Sequence, residues 1–173
     1  MKTALEQLST YKSVHLNKQN IKTHFFGIPM IIWSIAVLLG LLQFELSGVV
    51  VSLTTIVGVV VALYYVMLSR PLALFALVIF GPLIYSANVY ANAEESWMVA
   101  IAVFVIGWVL QFIGHAYEKA KPAFVDDLNQ LFIGPFFLIS EIYFALGLDK
   151  QFEQEITALA VSKREAFEQN KSN

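Results

Sequence analysis

Between Phe25 and Phe44 the chain runs for 20 residues without a charged side chain. At about 1.5 Å per helical residue that is roughly 30 Å, the thickness of one hydrocarbon core. The pattern repeats. Val49–Leu68, Leu72–Tyr90 and Trp97–Tyr117 are further apolar blocks, separated by Glu45-Leu46-Ser47-Gly48, Ser69-Arg70-Pro71 and a polar loop holding Glu94 and Glu95. The second block is rich in Val, which in water would favour a strand. In lipid an unpaired strand leaves its backbone unsatisfied, so helix is expected throughout. Pro29 is placed in the first turn of the first span, and Gly81-Pro82 predicts a kink in the third.

Composition agrees with a membrane protein. Apolar residues make up 58% of the chain and charged residues 14%, against about 25% charged in a soluble domain. A net charge of −2 gives no footing for nucleic acid. With no cysteine, disulfides, thiolate metal sites and cysteine nucleophiles are excluded. The polar first residues do not form a cleavable signal peptide, so the first block is expected to stay as an anchor.

Two segments flank or interrupt this scheme. Residues 1–23 place Leu5, Leu8, Tyr11 and His15 on one helical face, predicting an amphipathic helix, or two short ones, on the membrane surface. The tail, 149–173, reads as a second amphipathic helix. Residues 128–148 are apolar but carry Gly134-Pro135 and, mid-segment, Glu141. A carboxylate at the bilayer centre costs about 2.5–3.5 kcal/mol on insertion scales. Asp126 and Asp127 are placed as caps for the helix starting near Leu128. The expectation is one all-α, polytopic membrane domain over 1–173. It has four spans (about 25–44, 49–68, 72–90 and 97–117) and a re-entrant or half-buried segment at 128–148, with five full spans as the alternative.

Basic residues orient it. Lys2, Lys12, Lys18 and Lys22 precede the first span, Arg70 follows the second, and Lys119 and Lys121 follow the fourth. The turns after the first and third spans hold only Glu45, Glu94 and Glu95 as charges. The N-terminus is therefore expected in the cytoplasm. If 128–148 does not cross, Lys150, Lys163, Arg164 and Lys171 lie on the same side.

This topology brings the three histidines, His15, His24 and His115, to one membrane depth, with Glu118 one turn beyond His115. Three imidazoles and a carboxylate at the mouth of a helix bundle suit a metal ion. The plainer reading is that histidines favour interfaces and that Glu118 is a solvated charge paired with Lys121 or Lys22. Glu141, Tyr11 and Asn20 are candidates for groups that orient the histidines.

The same residues carry a resemblance. Tyr11, His15, Asn20 and His24, followed by Gly27 and Pro29, form one motif; Gln111-Phe112-Ile113-Gly114-His115, Glu118, Lys119, Lys121 and Pro122-Ala123 form a second. Asp127-Leu128, Gln130, Pro135-Phe136 and Glu141 form a weaker third. In these the chain resembles the family of the fungal endoplasmic-reticulum 2-hydroxy fatty acid dioxygenase of phytosphingosine α-oxidation, as a bacterial member. Ala120 departs from the family, which often has a basic residue there.

The resemblance implies an Fe(II)-dependent oxygenase that takes a 2-hydroxy fatty acid and O2 to the fatty acid one carbon shorter and CO2. His15, His24 and His115 would hold the metal, with Glu118 also catalytic. Tyr11, Asn20, Gln111, Lys119, Lys121 and Glu141 would support the metal or bind substrate, the lysines steering its carboxylate. Oxidising the hydroxy acid supplies the four electrons O2 needs, so no 2-oxoglutarate is required. The implied setting is the bacterial inner membrane, with the site on the cytoplasmic side. The alternative is a non-catalytic lipid-binding or scaffold protein with structural zinc or no metal. A small transporter is a third reading, opposed by the lack of inverted repeats and of charges within the four spans.

Overall fold

The computed structural model describes residues 2–172, with side-chain surroundings to residue 169. Helix α1, Ala4–Ser13, is held at its start by a capping box in which Thr3 and Glu6 each accept from the other's backbone amide. A short turn, Leu16-Asn17, leads to α2, Lys18–Gly40, whose Asn17 cap accepts from the Gln19 amide at 2.8 Å. This helix starts well before the charge-free window, so Pro29 lies inside it and not in its first turn. The uncharged stretch marks the apolar depth of the helix; the cap marks its start.

The second block is corrected at its beginning. Val49–Ser52 is a strand, β2, paired antiparallel with β1, Gln43–Leu46. Ser47 and Gly48 both have positive φ, which suits a two-residue hairpin turn. Paired with its neighbour, a run of Val can obey its β preference. The fold is thus helical with one hairpin, and α3 covers only Leu53–Leu68, capped by Ser52. The third and fourth blocks become α4, Arg70–Tyr90, which runs through Gly81-Pro82 as one helix, and α5, Ser96–Glu118. A 3-10 turn at Ala123–Val125 precedes α6, Gln130–Ala145. The tail is α7, Lys150–Ser172; Asn173, expected in the same helix, lies outside the described residues. Asp127 accepts from the Asn129 amide at 3.0 Å, in the turn that opens α6.

Three of these helices, α2, α4 and α5, are long and apolar enough to cross a membrane. Helices α3 and α6, at 16 residues each, are shorter. Exposed apolar side chains such as Val60, Leu63, Leu74, Val78, Val105 and Ile106 cover α3, α4 and α5, the surface expected of helices in lipid. Helix α6 is interior: Ile133, Phe136, Phe137 and Ile139 are fully buried, packed with Leu8 and Tyr11 of α1 and Leu72 of α4. The face of α1 expected to rest on the membrane therefore packs on protein instead, between α6 and α7. Glu141 is accommodated by the same contact, its carboxylate 2.7 Å from Lys12 Nζ on α1.

Helices α2 and α5 run antiparallel in the most extensive contact of the bundle. Gly27 and Gly107 face one another, and a β-carbon on Gly107 would lie 3.0 Å from the Gly27 carbonyl oxygen. Such close approach of backbones needs small residues. It sets the distance at which α2 and α5 present their histidines.

Candidate metal centre

His15 follows the end of α1, His24 lies in the second turn of α2, and His115 lies in the last turn of α5. The structure brings the three together, as the topology argument expected. Their ring centroids are 4.5, 4.9 and 5.1 Å apart, and one ligand nitrogen from each lies within 4.8 Å of the others. All three are buried, His15 and His24 at 1% exposure and His115 at 8%. Among the described residues this is the one cluster of side chains suited to hold a metal.

The hydrogen bonds assign the ring protons. His15 Nδ1 is 2.6 Å from the Tyr11 carbonyl oxygen, and His24 Nδ1 is 2.9 Å from that of Asn20. A carbonyl only accepts, so both Nδ1 atoms carry hydrogen and both Nε2 atoms carry lone pairs. Those two Nε2 atoms are 3.0 Å apart. Between neutral rings this leaves two lone pairs facing each other with no hydrogen to share. Protonating one ring is opposed by burial and by the neighbouring His24, which hold His15 well below the usual histidine range. Nδ1 of His115 is also buried without a hydrogen-bond partner. A divalent cation between the rings satisfies the facing Nε2 lone pairs, and His115 brings a third ligand nitrogen within 4.8 Å, so the residues present fit a metal ion. Three imidazoles without thiolate or carboxylate suit iron, zinc, copper or nickel, and three protein ligands leave positions open for substrate.

The surrounding residues hold this arrangement. Tyr11 stacks flat on His15, 4.0 Å between centroids and 1° between planes. Asn20 gives its carbonyl to His24 and its amide Nδ2 to Glu118 at 3.1 Å. Gly114 lets α2 come close: a β-carbon there would fall 2.5 Å from Asn20 Oδ1 and closer still to Thr23 Oγ1. Glu118 faces the loop, not the rings. Its carboxylate accepts from the Leu16 and Asn17 amides at 3.2 and 2.8 Å, directly after His15. The expected pairing with Lys121 or Lys22 is not what occupies it; the basic group beside it is Arg164, at 3.5 Å.

The remaining candidates divide. Gln111 is buried close to Gly27, and its Nε2 has no partner. Lys119 caps α5 in a left-handed conformation and is exposed; Lys121 is exposed and paired with Asp126. Glu141 accepts from Lys12 Nζ at 2.7 Å. Gln130 was not among the expected site residues. It is buried, donates Nε2 to Gln7 at 2.9 Å and leaves Oε1 unpartnered. Its position in the weak third motif was the signal available.

A cavity of about 610 Å³ opens from the rings. Tyr11, His15, His24, Gln111, His115 and Gln130 line its polar end. Its other walls are apolar, from Ile28, Ile32, Ala76, Phe80, Phe104 and Trp108 among others, and it reaches Leu39 and Thr54. From His24 to Leu39 the path along α2 is about 22 Å.

Residues 1–146 match the family described as 2-hydroxy-palmitic acid dioxygenase Mpo1-like. The chain belongs to that family. Among curated proteins it is 33% identical over 143 residues to the 2-hydroxy-palmitic acid dioxygenase MPO1 of Saccharomyces cerevisiae, covering 82% of this chain and 80% of that protein. No solved structure matches it. Every member of the ring cluster, with Gln111, Glu118 and Gln130, falls inside the matched segment of this Mpo1-like chain, whereas α7 lies beyond it.

Proposed function

We propose that this Mpo1-like protein is an Fe(II)-dependent dioxygenase that converts a 2-hydroxy fatty acid and O2 to the fatty acid one carbon shorter, CO2 and water. The observation that carries the reading is the pair of Nε2 lone pairs, 3.0 Å apart, at the polar end of a long apolar cavity. The name of the yeast relative supports the substrate class. The stoichiometry closes: oxidation of C2 from the alcohol to the carboxyl level and of C1 to CO2 together supply the four electrons that reduce O2.

His15, His24 and His115 would hold the iron, which when bound supplies the redox chemistry that O2 requires. The Tyr11 and Asn20 carbonyls keep the tautomers that aim Nε2 inward. Gln111 Nε2, a buried donor without a partner, would donate to the substrate's carboxylate or hydroxyl. The acyl chain lies along α2, and a cavity of this size is typical for a ligand of that class. Apolar walls exclude water from the reacting end. Glu118 acts through the loop that carries His15. Lys119 and Lys121, outside the cavity lining, act on an anionic head group only as charge near the mouth.

In the bilayer α2, α4 and α5 span, α3 serves as a shorter fourth span through local thinning, and α6 is enclosed by protein. The N-terminus and the histidines then face the cytoplasm by the distribution of Lys and Arg.

The test is oxygen uptake by protein purified in mild detergent, loaded anaerobically with Fe(II) and given 2-hydroxypalmitate. Uptake with release of equimolar CO2 and a fatty acid one carbon shorter supports the proposal. Tight zinc and no uptake would favour a structural site, since three imidazoles suit zinc as well.

A further inference from the structure

The C-terminal helix lies outside the segment that matches the family, yet it reaches the residues that flank the histidine centre. Arg164 of α7 is mostly buried, with its side chain 17% exposed. One guanidinium nitrogen is 3.5 Å from Glu118 Oε1 and donates to the Ser13 carbonyl at 3.4 Å; the other donates to the Glu118 carbonyl at 3.3 Å. Its Nε pairs with Glu168 at 2.6 Å, which fixes the plane of the fork. These acceptors are the end of α1, the end of α5 and the carboxylate that holds the Leu16 and Asn17 amides. His15 stands between Ser13 and Leu16, and His115 is one turn before Glu118. One planar cation therefore ties together the two segments that deliver His15 and His115.

The geometry points to Arg164 as a positioning residue for the histidine centre, supplied by a helix beyond the family's matched segment. Without it the Glu118 carboxylate, 3% exposed, keeps its two amides but loses its counter-charge, and the α1 and α5 ends lose their common donor. A buried carboxylate left without its cation is costly, and the loop relaxes at the expense of ring placement. Groups that orient metal-binding histidines typically contribute about 10–100-fold in metal affinity. Lys163, next in the chain, provides the control. Its Nζ anchors α7 to α1 through the Glu6 carbonyl, Ser9 and Thr10 at 3.1, 2.8 and 2.7 Å, with no contact to Glu118.

The inference rests on the metal reading proposed above. The test titrates Co(II) into metal-free full-length protein and records the visible d–d bands for wild type, Arg164→Ala, Arg164→Lys and Lys163→Ala. Arg164→Ala is expected to weaken binding about tenfold or more and to change the band positions. Arg164→Lys, a point charge without the fork, should fall between, and Lys163→Ala should match wild type. Wild-type affinity and bands in Arg164→Ala overturn the inference, as does an equal loss in Lys163→Ala, which would mean helix docking alone. Should Arg164→Ala fail to fold, Arg164→Lys with wild-type affinity overturns it. Wild-type protein that takes up no cobalt overturns the metal reading and this inference together.

Discussion

The two ends of the α2–α5 pair are built from different chemistry. At the histidine end, the contact is polar and directional: ring nitrogens on carbonyls, Asn20 on Glu118, and Glu118 on two backbone amides. At the hairpin end, Ala36, Val37, Ala87, Ala91 and Ala100 form a small apolar cluster, and Thr54 Oγ1 donates to the Ala36 carbonyl. The first end has buried polar atoms with no partner, Asn20 Oδ1, Gln111 Nε2 and His115 Nδ1; the second has none among the described residues. Unpaired buried polar groups cost stability, so their concentration at one end of an otherwise satisfied bundle marks where a ligand belongs.

Disturbing the polar end should therefore act on metal binding before it acts on the fold. Glu118→Gln replaces an acceptor-only carboxylate facing two amides and Asn20 Nδ2. Metal affinity should fall about 10–100-fold, read by competition with a chelator, while detergent-solubilised protein stays monodisperse. Gln111→Leu keeps the volume and removes the free donor. It should lower kcat/KM for a 2-hydroxy acid by about tenfold or more, the contribution of a hydrogen bond to a charged group, with metal content unchanged.

Two glycine substitutions sharpen the comparison through stability. Gly114→Ala would press a methyl onto Thr23 and Asn20 and should destabilise by about 1–3 kcal/mol. Gly58→Ala, on α3 where a β-carbon meets nothing within 4 Å, should stabilise by about 0.5–1 kcal/mol through helix propensity. Thermal melts in the same detergent give the signs. The last effect is with pH. His15 is held neutral when folded and binds a proton readily when unfolded, so the unfolded chain binds more protons at acid pH. Metal-free protein should therefore lose stability as pH falls through about 6.5 and below, and His15→Gln should flatten that slope.

Much of this was legible in the residues. Long uncharged blocks foretell most of the helices, and the order of those blocks predicts that the three histidines meet at one end of the bundle, where they cluster. What escaped has physical causes. Val49–Val51 satisfies its backbone in a hairpin, and pairing of that kind depends on the partner strand as much as on the run itself. The stripe on α1 predicts a membrane-surface helix because an amphipathic pattern does not say whether protein or membrane covers it. The spacing puts Glu118 one turn beyond His115 but does not show its neighbours, since Leu16 and Asn17 present backbone amides that no side-chain pattern reveals. Arg164 could not be connected to the site by spacing, being 46 residues from Glu118.

The most direct test of the account is metal content. Full-length protein purified in mild detergent and reconstituted anaerobically with Fe(II) should hold about one iron per chain, the occupancy of a single three-histidine site, and His115→Ala prepared in parallel should hold none. Iron absent from the wild type, or retained equally by His115→Ala, would contradict the assignment of the three rings as a metal centre.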